Sequence, residues 1–330
     1  MEKFRTEIQI PPSDNKINHQ TKGLLIGSCF SENIGKLLVE NKFDVDINPT
    51  GIVYNPLSIA TCLTSLLQEK EYQPSDLFET RGRYVSFDHH GHFSDPDPDV
   101  CLKRINTRIE EASLRLKKAD YIILTFGTAW VYRLADSGKI VSNNHKLPAR
   151  HFTRELLKVD VIVAHYQELI REIRKFNPKV RFIFTVSPVR HWKDGAPLNM
   201  VSKSTLILAI HELAELFEFS EYFPAYELAM DDLRDYRFYE EDMIHPNAQM
   251  TSYIWKKFSD TYFSPDTLNL IEELESLNRS MNHKPFHPGS EEHRRFVNKQ
   301  IELLKLLQKQ HSFLDFTPEI VYFENQISSF

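Results

Sequence analysis

Two short stretches of this sequence carry the side chains of a nucleophile and of its proton acceptor. The first is Gly27-Ser28-Cys29-Phe30-Ser31 and the second is Asp242-Met243-Ile244-His245. A thiol or hydroxyl that attacks a carbonyl needs a base to take its proton. That base needs an acid to fix its tautomer and stabilise its protonated form. Asp242 and His245 fit those two roles on a single turn, and they fit equally a plain helix cap. Cys29 is a candidate nucleophile, with Ser28 and Ser31 beside it. Further along, Arg190 and His191 follow the apolar run Val180-Arg181-Phe182-Ile183-Phe184-Thr185-Val186. An arginine there suits a substrate carboxylate or phosphate, or a salt bridge to Asp242 or Asp235.

The elements that must position these residues are legible as hydrophobic patterns. Leu24-Leu25-Ile26 reads as a buried strand ending at Gly27, and Phe30, Ile34, Leu37 and Leu38 then mark one stripe of an amphipathic helix. Such a strand–turn–helix presents Cys29 at the carboxyl end of a sheet and the positive end of a helix, where open α/β folds place chemistry. Tyr121–Phe126 is a continuous apolar run typical of a central parallel strand. Phe43–Ile47 alternates like a short strand, and Tyr222–Tyr226 reads as an edge strand that tolerates Pro224. Helical patterns occupy 57–67, 102–116, 162–176 and 199–217, and Pro246 is placed to open a helix reaching Phe258. Residues 1–21 read as an extended lead-in, 70–100 as an insertion containing a hairpin, and 136–155 as a loop over the pocket.

This alternation predicts an α/β fold, a three-layer α/β/α sandwich around a mainly parallel sheet. We place the α/β domain at 1–264 and a charged, helical C-terminal extension at 265–330.

Composition narrows the function classes. The chain has 330 residues, 41% hydrophobic and 26% charged, with a net charge of −6. That is the balance of a folded chain, and without a basic cluster it argues against nucleic acid as a partner. Three cysteines, Cys29, Cys62 and Cys101, make a disulfide framework improbable and read as free thiols. No signal-peptide core and no run near eighteen apolar residues is present, so the expectation is a cytoplasmic protein without a membrane partner. Nothing in the sequence fixes the oligomeric state. His89-His90-x-His92 invites a metal reading, but no carboxylate or cysteine stands at ligand spacing. No metal is assigned.

Taken together, several blocks resemble the GSCFA family, a branch of the SGNH (GDSL-type) hydrolase superfamily. They are Gly27-Ser28-Cys29-Phe30-Ser31-Glu32-Asn33-Ile34-Gly35, Asn48-Pro49-Thr50-Gly51-Ile52-Val53-Tyr54-Asn55-Pro56 and Phe126-Gly127-Thr128-Ala129-Trp130-Val131-Tyr132. Asn144-His145-Lys146-Leu147-Pro148, Ser187-Pro188-Val189-Arg190-His191 and Asp235-Tyr236-Arg237-Phe238-Tyr239 through His245-Pro246 complete the set. The resemblance implies a flavodoxin-like sheet order and hydrolysis or transfer of an acyl group, with no cofactor. It puts Cys29 at the nucleophile position, with Ser28 where an aspartate is usual and kept as the alternative nucleophile. His245 becomes the base and Asp242 its acid.

The superfamily stabilises its oxyanion with the nucleophile's own N–H, a block II glycine N–H and a block III asparagine side chain. Gly51 fits the second, whereas the block III asparagine is replaced in Gly127-Thr128-Ala129. Gly127 and Thr128 are therefore the candidates to complete the oxyanion hole, and Asn55, Trp130, Arg190 and His191 the candidates to contact substrate. The expected substrate is a small-molecule or glycan acyl ester or a thioester. The alternative is a catalytically retired fold that binds a small molecule or glycan without turnover.

Overall fold

A computed structural model of the protein describes residues 5–283 and 285–328, so the first four residues of the lead-in lie outside it. The chain opens with β1 (Lys22–Gly27), α1 (Cys29–Glu40), β2 (Asp44–Ile47), α2 (Pro56–Leu67), a β3–β4 hairpin (Phe78–Thr80 and Arg83–Val85) and α3 (Pro98–Lys118). Next come β5 (Tyr121–Phe126), β6 (Trp130–Leu134), β7 (Ile140–Val141), β8 (Phe152–Leu156), α4 (Val159–Phe176), β9 (Arg181–Val186) and α5 (Gly195–Leu216). The last part holds β10 (Ser220–Phe223), the single turn α6 (Ala225–Glu227), α7 (Ala248–Tyr262), α8 (Pro265–Asn282), α9 (Glu291–Gln310) and α10 (Thr317–Ser328).

Five strands pair in the order β10-β9-β5-β1-β2, every pair parallel. Register is set by Leu25 opposite Ile123, and Ile123 opposite Ile183. Successive side chains point to opposite faces, and the two faces carry separate cores. Leu24, Ile26, Ile122, Leu124, Phe126, Phe182 and Phe184 pack with α2, α3, α4 and α5. Leu25, Ile123 and Ile183 pack with α1 and α7. Leu24, Leu25 and Ile26 are all fully buried, each contributing about 1.5–3 kcal/mol of transfer free energy. These are the three layers read from the sequence, and the strand order is flavodoxin-like. Its switch point lies between β1 and β5, where this fold class opens a crevice at the strands' carboxyl ends.

Two local features differ from the sequence expectation. Residues 130–156 form a small antiparallel sheet, β7-β6-β8, instead of a loop. Its strands are only two to five residues long, too short for a period-two pattern to stand out. Pro246 does not begin α7; Asn247 caps that helix, its Oδ1 accepting the N–H groups of Gln249 and Met250 at 3.0 and 3.1 Å. An asparagine side chain satisfies two orphan amides, which a proline cannot do. The turn at 91–93 is a 3₁₀ turn capped by His90.

The C-terminal helices α8, α9 and α10 share a core of Leu274, Leu277, Val297, Leu304, Phe316 and Phe323. Ile271 on α8 packs instead into the α1/α7 core, and Asn278 donates to the Glu40 carbonyl at 3.1 Å. Lys42 pairs with Glu319 at 2.8 Å. Among the described residues no helix is long and apolar enough to cross a membrane.

Candidate active site

The turn after β1 is built on Gly27. Its φ is +153°, and a Cβ there would lie 2.4 Å from the Thr125 carbonyl oxygen, so β1 and β5 can close only over a glycine. The Gly27 N–H donates to Asn48 Oδ1 at 2.9 Å. Ser28 is the N-cap of α1 and is buried, its Oγ accepting from the Phe30 N–H at 3.3 Å. That is a capping geometry. Ser31 Oγ is buried and donates to Thr125 Oγ1 at 2.6 Å. Cys29, the first residue of α1, is the half-buried free thiol, whereas Cys62 and Cys101 are buried. The Cys29 Sγ lies 3.6 Å from the hydroxyl of Tyr54, a residue of the Asn48–Pro56 block with no role expected from sequence.

On the opposite side, Asp242 and His245 form a tight pair, with His245 Nδ1 2.5 Å from Asp242 Oδ2. Asp242 Oδ1 accepts the N–H groups of Ile244 and His245, each at 2.9 Å. The backbone N–H of His245, then its ring and the Ile244 N–H, hold the Asp242 carboxyl down at about 2. An Nδ1–H pointing at this carboxylate leaves Nε2 as the basic nitrogen. Neither residue caps α7, the role that Asn247 takes.

Between the two ends stands His191. Its ring meets Tyr54 edge-on, with centroids 5.6 Å apart. Burial, followed by Lys203 and His245, lowers it to about 4, so the imidazole is neutral at pH 7. No hydrogen bond joins Cys29 to His245; the Cys29 thiol meets Tyr54, and His191 stands against Tyr54. Catalytic contacts often tighten only once substrate is bound.

The three expected oxyanion donors are engaged elsewhere. The Gly51 N–H donates to the Asn48 carbonyl at 2.7 Å, and those of Gly127 and Thr128 donate to the Tyr54 carbonyl at 2.7 and 3.0 Å. Thr128 Oγ1 lies 3.1 Å from Ser202 Oγ. Gly51 serves packing: its φ is +83°, and an added Cβ would sit 2.2 Å from His90 Cβ. The backbone therefore folds over the histidine loop, whose His90 N–H donates to the Thr50 carbonyl at 2.8 Å.

Two substrate-contact expectations change as well. Asn55 is buried as the N-cap of α2, its Nδ2 donating to Ser58 Oγ at 2.9 Å. Trp130 lies in β6 under the Arg154 guanidinium, 4.7 Å from the ring centre, and its indole N–H is buried without an acceptor. Arg190 remains open: its guanidinium stands 4.9 Å over the Trp192 ring and 3.5 Å from Asn199 Oδ1. The alternative salt bridges to Asp242 or Asp235 are absent, since those carboxylates pair with His245 and Arg237.

Beneath this edge lies a buried cation. Lys203 on α5 donates from Nζ to the carbonyls of Gly127 and Ser187, each at 2.7 Å. It ties the loop after β5 to the loop after β9, and burial lowers it to about 7.

A cleft of about 550 Å³ opens one helical turn beyond Cys29, with Glu32 and Lys36 on one wall and His90, His92 and Arg108 on the other. His90 and His92 face each other there, their Nδ1 atoms 3.0 Å apart, while His89 is buried against Ser86. Among the described residues no group of three or more histidine, cysteine or acidic side chains is placed to hold a metal.

The GSCFA family model matches residues 22–258, and a model of the C-terminal domain of GSCFA proteins matches residues 274–329. The chain belongs to the GSCFA family. No curated protein matches this GSCFA chain. Among solved structures it is similar to a carbohydrate esterase family 3 protein from Talaromyces cellulolyticus, at 11% identity over 77% of this chain and 99% of that one, with a TM-score of 0.34. It is also similar to the acetyl xylan esterase Est2A from Butyrivibrio proteoclasticus, at 13% identity over 73% of this chain and 63% of the other, with a TM-score of 0.36. At these TM-scores the likenesses decide nothing about chemistry, which has to be read from this GSCFA chain's own residues.

Proposed function

We propose that this GSCFA protein is a hydrolase or acyltransferase acting on an ester or thioester, with Cys29 as nucleophile, His245 as base and Asp242 as its orienting acid. The observation that carries the reading is the 2.5 Å contact between His245 Nδ1 and Asp242 Oδ2. It leaves Nε2 as the basic nitrogen of the pair, the one that would take the proton from Cys29. His245 Nε2 takes the thiol proton, and Sγ attacks the carbonyl carbon as the C=O pair moves onto oxygen. Collapse of that tetrahedral intermediate expels an alkoxide or thiolate, which takes the proton back from His245. Water, or a second hydroxyl, then gives its proton to His245 and attacks the acyl-cysteine. Cys29 leaves and is reprotonated. Arg190 and Trp192 offer a cation and an exposed aromatic face for substrate beside this centre, in keeping with an SGNH-type acyl ester substrate such as an acylated glycan.

A second reading, ligand binding without turnover, is favoured by the engagement of the Gly51, Gly127 and Thr128 amides. Turnover of p-nitrophenyl acetate and an acetyl thioester, measured on the parent, Cys29→Ala and His245→Ala proteins, separates the two. The proposal expects both variants to fall to background. Equal rates in all three proteins sink it.

A further inference from the structure

We infer that the hydroxyl of Tyr54 is the side-chain donor to the oxyanion, standing in for the asparagine that Gly127-Thr128-Ala129 lacks. The inference rests on the proposed acyl chemistry at Cys29 and adds a catalytic residue to it. Tyr54 Oη lies 3.6 Å from Sγ. The oxygen of an acyl group attacked by that sulfur stands one atom beyond it, so a donor at this separation reaches the developing oxyanion within about 2.7–3.1 Å. The expected donors other than the nucleophile's own N–H are spent: Gly51 N–H on Asn48, and Gly127 and Thr128 N–H on Tyr54 itself. Among the described residues Tyr54 Oη has one hydrogen-bond partner, the Cys29 sulfur.

The residue is also held for the task. Its carbonyl accepts the two amides of Gly127 and Thr128, and the Gly127 carbonyl is in turn gripped by Lys203. The ring is braced edge-on by His191. A sequence that has diverted both loop amides onto one tyrosine carbonyl has exchanged two backbone donors for one aimed hydroxyl. Burial first, and the neighbouring thiol second, push the phenol well above its ordinary titration range. It therefore stays protonated, and remains a donor, throughout the pH range in which a cysteine–histidine pair works.

The test is Tyr54→Phe, which removes only the hydroxyl. Acylation of Cys29 by p-nitrophenyl acetate is followed by stopped-flow release of nitrophenolate, and alkylation of Cys29 by iodoacetamide is followed in parallel. Alkylation displaces iodide and builds no oxyanion. Loss of the donor is expected to slow acylation about 10²-fold through kcat with KM unchanged, and to leave alkylation within about twofold. A Tyr54→His variant, which restores a ring N–H, should recover part of the acylation rate and serves as the comparison if the Phe variant fails to melt cooperatively. Equal loss of acylation and alkylation would show that Tyr54 acts on the thiol, and no loss of either would show that it is a bystander. Both results overturn the inference while leaving Cys29 as nucleophile. Absence of acylation at Cys29 in the parent removes the proposed function and this inference with it.

Discussion

Replacing Lys203 by methionine should abolish a pH dependence of stability that one buried amine imposes. In the folded chain this amine titrates at about 7, against an ordinary value of 10.5, chiefly because burial penalises the charged form and secondarily because Arg190 repels it. Between those two values the unfolded chain keeps a proton that the native chain releases, so stability rises with pH. Below about pH 7 both states hold the proton and the gain is absent. Integrating from pH 7 to 8.5 gives about 1.6 kcal/mol from this group alone. The hydrogen bonds survive the titration, because a neutral amine still has two N–H groups for the carbonyls of Gly127 and Ser187. The window stops at pH 8.5 because buried Cys62, raised to about 11 from 9, works in the opposite direction above pH 9. The assay is urea unfolding at pH 7, 7.75 and 8.5, checked for a constant m-value. The parent should gain about 1.5 kcal/mol across the window. Lys203→Met should keep only the small part of that gain that buried histidines such as His19, His89 and His191 supply, and be weaker at pH 8.5, because two buried carbonyls lose their donor at about 1–3 kcal/mol each. A parent that is flat or loses stability, or a variant that keeps the slope, refutes the role given to this lysine.

Gly51→Ala should cost about 1–3 kcal/mol, read as a lower urea midpoint, and a His90→Gly background should return the steric part, since His90 Cβ is the atom in the way. Ser28→Ala removes a helix cap and should lower stability by about 1 kcal/mol while Cys29 still accepts an acyl group; loss of acylation with stability intact would reinstate Ser28 as the nucleophile. Asp242→Asn keeps an oxygen for the amides of Ile244 and His245 but loses the carboxylate on Nδ1, so turnover should fall by up to about 10⁴-fold with the melting temperature little changed. In the parent, a carboxyl held at about 2 stabilises its turn above pH 3.8 and loses that contribution only as pH falls through 2. Protonation of Asp242 is therefore excluded as the cause of any loss of turnover above about pH 4.

The layers of the fold were legible because strands buried on both faces are continuous apolar runs, as in β1, β5 and β9, and their helices carry clean stripes. The β6–β7–β8 sheet was hidden by brevity: two to five residues leave no alternation to read, and register there comes from tertiary pairing. Within the site, the nucleophile turn and the Asp242–His245 pair were readable because each is a local arrangement, a glycine-dependent corner and a one-turn spacing. The oxyanion donors were not, since whether an amide is free depends on what reaches it from afar. Gly127 and Thr128 looked available until the Tyr54 carbonyl, more than seventy residues earlier, proved to occupy both. Gly51 carried a true glycine signal with a different cause, the approach of His90. Tyr54 itself gave no signal beyond its place between Gly51 and Asn55, because an aromatic just before an Asn-Pro step is ordinarily packing. Lys203 sat inside an apolar helix pattern, where a buried lysine interrupts the stripe and could have been noticed for that reason.

The most direct test of the account is to locate the acyl group. The parent is mixed with p-nitrophenyl acetate, quenched in acid within milliseconds, digested and mapped by mass spectrometry. Cys62 and Cys101, both buried, serve as internal controls for random thiol acylation. Acetyl mass on the Cys29 peptide, which builds up in the parent, decays with turnover and forms far more slowly in His245→Ala, is the result the account predicts. An acetyl group on a serine of the same turn, an equal distribution over the three thiols, or unmodified Cys29 during steady turnover contradicts it.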